Sequence, residues 1–195
     1  MIFTDICETI FRLVLIAITI YHIYKHQLLI AASTAMVFAF SYLSLLLSIL
    51  FQIEIDPISN LIYIIFTFMA VYLGGSLKFY DKYKNWDRFV HALSGVGFVG
   101  FGIAIMHKDP DIIKIIVLLF GFTFSLSIQT LWEVLEYITD CIFHSNAQRW
   151  QMHHESVNHI STKAIQPAGL VDTMTDTICC IIGSVIAIIT WSFFL

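Results

Sequence analysis

Charge is scarce in this sequence. Only 12% of its 195 residues are Asp, Glu, Lys or Arg, while 58% are hydrophobic. A soluble domain carries about 25% charged residues. Half that number cannot cover a water-facing surface, and a bilayer removes the need for one, because the outside of the fold can then be apolar. The ten basic residues form no stripe and the net charge is −4, so no nucleic-acid partner is expected. Cys7, Cys141, Cys179 and Cys180 lack disulfide or zinc-finger spacing; the adjacent Cys179 and Cys180 lie in an apolar run and read as packing residues. There is no internal repeat and no low-complexity tract. The first apolar run lacks a small-residue cleavage site and reads as a retained helix.

What remains is a series of apolar runs, each long enough to cross the ~30 Å hydrocarbon core with ~20 residues. They fall near residues 10–24, 28–51, 57–77, 86–106, 111–143 and 170–194. The expected fold is all-α, a single-domain bundle of six transmembrane helices. Asp56-Pro57 and Asp109-Pro110 are helix-start signals, since Asp caps free N–H groups and Pro tolerates the first helical position. Residues 78–85 and the His-rich stretch 144–168 read as loops. Lys25, Lys78, Lys82, Lys84, Arg88, Arg149 and Lys163 fall at one end of such a bundle; Arg12, Lys108 and Lys114 fall at the other. The cation excess marks the first end as cytoplasmic.

Ionisable groups gather at that same end. The fourth span opens with Asp87-x3-His91, the fifth closes with Glu133-x2-Glu136, and the sixth opens with Asp172-x3-Asp176. Spacings of three and four put each pair on one helix face. Ser125, Gln129, Glu133, Glu136 and Asp140 extend one polar stripe; Asp172, Asp176, Cys180 and Ser184 form another. Lipid offers polar groups no partner, so both stripes should face the bundle interior. Counting ~20 residues back from Leu195 and forward from Ile112 places Asp176 and Glu133 at the edge of the hydrocarbon core.

Macrodipole complementation accounts for Asp87 and Asp172 in first helical turns. It does not account for Glu133 and Glu136 near a helix C-terminus, nor for Asp176 a turn deeper. Carboxylates at one depth repel unless some are protonated or a cation joins them. Asp87, His91, Glu133, Asp172 and Asp176 are therefore candidate ligands for a divalent metal such as Mg²⁺, Mn²⁺ or Zn²⁺, with Glu136 as candidate general base. His22-x3-His26, at the end of the first span, could also reach the site. His153 and His154 read as loop residues, and Trp86, Trp132 and Trp150 as an interfacial belt.

The motifs WDRFVHALSG (86–95), LWEVLEY (131–137) and DTMTDTICCIIGS (172–184) resemble the YjdF-like family of uncharacterised bacterial membrane proteins. The resemblance covers the last three spans, and it implies functional positions at Asp87, His91, Glu133, Asp172, Asp176 and Gly183. The chain is similar, more distantly, to the VanZ-like family linked to glycopeptide resistance; Arg88, Glu136 and Cys180 stand here where that family's pattern has Lys, Gln and Asn.

Together these features point to a metal-dependent membrane enzyme, a hydrolase or group transferase. It would act on a membrane lipid, a lipid-linked substrate or a headgroup at the cytoplasmic surface. The same carboxylates would serve a proton- or cation-coupled transporter or channel, provided that a polar path continued to the far side. A non-catalytic assembly or resistance-associated protein is the third class.

Overall fold

A computed structural model describes residues 2–107, 111–144, 147–148 and 167–195. All regular structure among them is helical, and six helical segments are long and apolar enough to span a membrane. The first is α1 (Ile2–Tyr24), eight residues longer at its start than the expected run. The second span is broken into α2 (Leu28–Phe40) and α3 (Leu43–Phe51). The third begins as α4 (Pro57–Thr67) and continues as a π-helical stretch, Phe68–Ser76. A short helix, α5 (Phe79–Lys82), occupies the expected loop. The last three spans are α6 (Trp86–Met106), α7 (Lys114–Phe143) and α8 (Ala168–Trp191).

The start of α4 is dictated locally. The Asp56 carboxylate accepts from the Ser59 amide at 2.9 Å, and Pro57 takes the first turn, where no N–H is needed. The analogous Asp109-Pro110 lies outside the described residues, and α7 begins later, at Lys114. The break in the second span has a side-chain cause. Arg12 of α1 donates to the Ser41 carbonyl at 2.9 Å and to its hydroxyl at 3.2 Å, and stacks over the Tyr42 ring at 4.4 Å. Irregular backbone at membrane depth is tolerated where protein groups satisfy it.

The bundle is organised around α6, which packs on α8, α7 and α4. Its contact with α8 is the closest, and small residues make it so. A Cβ on Gly183 would fall on the Ala92 carbonyl oxygen, and one on Gly95 would fall on the Cys180 carbonyl oxygen. Val99, Ile103, Val117, Leu118 and Ala187 fill the seam of α6, α7 and α8. Leu13, Leu29, Ile49, Ile113, Ile182 and Ile189 are exposed, a belt that a bilayer covers. The 30-residue α7 is ~45 Å long at 1.5 Å per residue, so one end extends past the hydrocarbon.

Candidate functional site

The two polar stripes expected on α7 and α8 face each other across α6. Ser125, Gln129 and Glu133 are buried on α7, Asp176, Cys180 and Ser184 on α8, and His91 and Ser94 on α6. Glu136, Asp140 and Asp172, at the outer ends of the stripes, are half-buried.

At the level of His91 three ligand atoms converge. One side-chain atom each of Asp87, His91 and Asp176 lies within 4.8 Å of the other two. His91 Nε2 is 3.5 Å from Asp87 Oδ1 and 3.9 Å from Asp176 Oδ2. Asp87 and His91 are one helical turn apart on α6; Asp176 arrives from α8, held there by the Gly95 and Gly183 crossing. His91 is 5% and Asp176 3% exposed, so neither is surface decoration.

The other edge of His91 is fixed from behind. Its Nδ1 is 2.8 Å from Gln129 Oε1, and Gln129 Nε2 donates to Glu133 Oε1 at 2.7 Å. A carboxylate only accepts, so Glu133 fixes which end of the Gln129 amide faces it, and the amide oxygen is turned toward His91. Nδ1 therefore carries the hydrogen, and Nε2 is the ring atom turned toward Asp87 and Asp176. A carboxylate acting through a second hydrogen-bonding group to set the tautomer is how proteins orient metal-binding or proton-accepting histidines.

Of the residues expected at the site, Asp87, His91 and Asp176 thus meet directly. Glu133 stands behind His91, reached through Gln129, and is not one of the three converging groups. Asp172 lies one turn beyond Asp176 on α8. Glu136 accepts from the Trp132 indole at 2.8 Å on its own helix. Asp140 accepts from the backbone amides of Ala147 and Gln148, a structural role in the chain leaving α7. His22 does not reach the site: it is buried between Gln27 (2.7 Å) and Tyr72 (3.0 Å), while His26 is exposed with φ 55°. His153, His154, Trp150, Arg149 and Lys163 lie outside the described residues.

Below His91 the polar groups close on themselves. Ser184 donates to Ser125 Oγ at 3.0 Å, the Ser125 hydroxyl reaches the Gly95 carbonyl at 3.3 Å, and Cys180 lies 3.8 Å from Ser125. Further along the seam the apolar cluster around Val99 begins.

Two features have little signature in sequence. A cavity of about 340 Å³ lies against His91 and Gln129, walled mainly by apolar side chains of α4, the π stretch, α6 and α7. Toward the opposite end of the bundle, Glu8 accepts from Arg12 at 2.9 Å and from Asn60 at 2.6 Å. The Glu8-x3-Arg12 spacing was the only available hint of that pair. With Arg12 turned inward, Lys108 and Lys114 are the remaining cations at that end, which sharpens the charge asymmetry.

No curated protein and no solved structure matches the chain. One family model matches residues 7–195, nearly the whole chain. It agrees with the YjdF-like resemblance and does not show the VanZ-like one. The chain therefore belongs to the family described as "Predicted membrane protein (DUF2238)".

Proposed function

We propose that this protein is a metal-dependent membrane enzyme that hydrolyses or transfers a group on a lipid-linked or headgroup substrate at the cytoplasmic surface. The observation that carries the reading is the convergence of Asp87, His91 and Asp176, with the Nε2 atom of a buried imidazole facing both carboxylates. The donor set of one nitrogen and two carboxylates fits Mn²⁺ or Zn²⁺, and Mg²⁺ less well. Ligand atoms at ~2.0–2.2 Å from one ion, at right angles, lie ~3 Å apart. The 3.5 and 3.9 Å separations therefore leave room for an ion after small side-chain rotations.

Asp87, His91 and Asp176 would hold the ion, with Asp172 the nearest further carboxylate on α8. Three protein ligands leave coordination positions open, as catalytic sites require. When bound, such an ion polarises a phosphoryl or acyl oxygen and lowers the pKa of water. Glu133 and Gln129 hold the His91 tautomer. Glu136, half-exposed beside Trp132, is the group placed to accept a proton from water or an acceptor hydroxyl. Against a transport path stands the closure of the polar stripe at Ser125 and Ser184, with Val99, Ile103 and Leu118 packed beyond.

The test is elemental analysis of the purified protein beside Asp176→Asn. Asn keeps the size and removes the negative charge. The parent should carry about one equivalent of Mn²⁺ or Zn²⁺ per chain and the variant should lose it. A metal-free parent whose melting is indifferent to added Mg²⁺, Mn²⁺ and Zn²⁺ would end the metalloenzyme reading.

A further inference from the structure

The 340 Å³ cavity beside His91 lies within the range of small-molecule sites, yet its walls are wrong for a polar substrate. Along α6 it runs from Val90 to Phe98, eight residues or ~12 Å. Tyr63, Phe66, Phe98 and Ile128 are among its apolar lining. Of its aliphatic hydroxyls, Ser94 is engaged with the His91 carbonyl and Thr67 with the Tyr63 carbonyl. His91 and Gln129 bring ring and amide polar atoms to it, and the Tyr63 and Tyr80 phenols and the Trp132 indole add the rest. α4 and α7, which both pack on α6, each contribute walls, and the apolar lining suits a hydrocarbon chain.

The polar end is framed differently. Tyr80 of α5 closes over the cavity, admitted because Gly74 has no side chain where the Tyr80 ring lies. Lys78 and Lys82 flank Tyr80, and Lys84 and Arg88 follow; Asp81 and Asp87 are the acidic residues of the same segment, leaving cations in excess. Phe79 packs edge-on to Trp86 at 4.9 Å and to Tyr83 at 5.1 Å, an aromatic cluster of the kind that seats at headgroup depth. An occupant must therefore pair a hydrocarbon chain with an anionic head.

We propose that the cavity binds an anionic, phosphate-bearing membrane lipid, one hydrocarbon chain lying along α6 and the headgroup set between the Lys78–Arg88 cations and His91. This names the substrate class for the enzyme proposed above and rests on that reading for the chemistry, but lipid binding itself does not need the metal. The cations attract the phosphate, and the aromatic walls exclude a free polar ligand.

The experiment incorporates the protein into nanodiscs of equal phosphatidylglycerol and phosphatidylcholine. After re-extraction, retained lipid is counted by native mass spectrometry and metal by elemental analysis. The parent should retain one phosphatidylglycerol, preferred over phosphatidylcholine by ~tenfold or more, since each nearby Lys is worth ~fivefold. Lys78→Gln/Lys82→Gln/Lys84→Gln should reduce the preference below ~twofold. Ala70→Phe, which fills the cavity from the π stretch, should cut retention ~tenfold, and Ala70→Leu less; both should keep their metal. If neither Ala70 variant inserts, Ile128→Phe from the opposite wall decides by the same count. Asp176→Asn should lose metal and keep lipid, so failure of the metal reading and failure of the lipid reading are separable. Equal retention of the two lipids by the parent, undiminished retention in the filled variants, or displacement by millimolar inorganic phosphate would each overturn the proposal.

Discussion

Gln129 illustrates how one residue can set the chemistry of another. Replacing it with Leu leaves the packing volume nearly unchanged but removes the acceptor for His91 Nδ1 and the donor to Glu133. The ring is then free to adopt the other tautomer or to rotate. If the site holds a metal, Gln129→Leu should weaken its binding ~10–100-fold, the usual cost of losing an orienting partner, measurable by titration with a competing chelator. Gln129→Glu should not rescue, because a second carboxylate would face Glu133. A second residue-scale expectation concerns the buried Glu8–Arg12 pair, whose side chains are 12% and 19% exposed. Arg12→Met should destabilise the protein by ~3–5 kcal/mol by leaving Glu8 uncompensated. Adding Glu8→Gln should restore part of that, a recovery readable as thermal melting in detergent.

Among the elements, the α6–α8 crossing decides whether the site exists. Gly183 has no room for any side chain against the Ala92 carbonyl, so a larger residue must push α8 outward and carry Asp176 from His91. Gly183→Val should cost ~1–3 kcal/mol of stability and abolish whatever binding Asp176 supports. Asp56→Ala should cost only ~1 kcal/mol, the loss of an N-cap, and leave metal retention intact because α4 does not carry the three converging residues. The comparison separates a helix that builds the three-residue cluster from one that does not. Both are read by melting in parallel with metal retention.

For the whole molecule the testable property is orientation. The cation asymmetry predicts a cytoplasmic loop around Lys82 and an outer position for Asp111. In a background with Cys7, Cys141, Cys179 and Cys180 replaced, an impermeant thiol reagent applied to intact cells should label Asp111→Cys and spare Lys82→Cys. The reverse pattern would put the Asp87–His91–Asp176 cluster on the outer face and require an outer-leaflet substrate.

The six spans were legible in the sequence by themselves, because a hydrocarbon solvent demands ~20 apolar residues per crossing whatever the partners are. So were the inward faces of α6, α7 and α8, because Ser125, Gln129, Glu133, Asp176, Cys180 and Ser184 recur at helical spacing and lipid cannot satisfy them. Local pattern also specified the start of α4 at Asp56-Pro57. It did not reveal the break at Ser41–Tyr42, which Arg12 of another helix satisfies, nor the π turn from Phe68 to Ser76, nor α5. Tertiary structure alone decided which carboxylates meet. Asp87 and Asp176 reach His91 while Glu133 stands behind Gln129, because the depth of each group follows from chain counting but its azimuth and partner follow from how closely Gly95 and Gly183 let α8 approach α6. The cavity belongs to the tertiary structure for the same reason: it is the space left between helices, and no single helix encodes it.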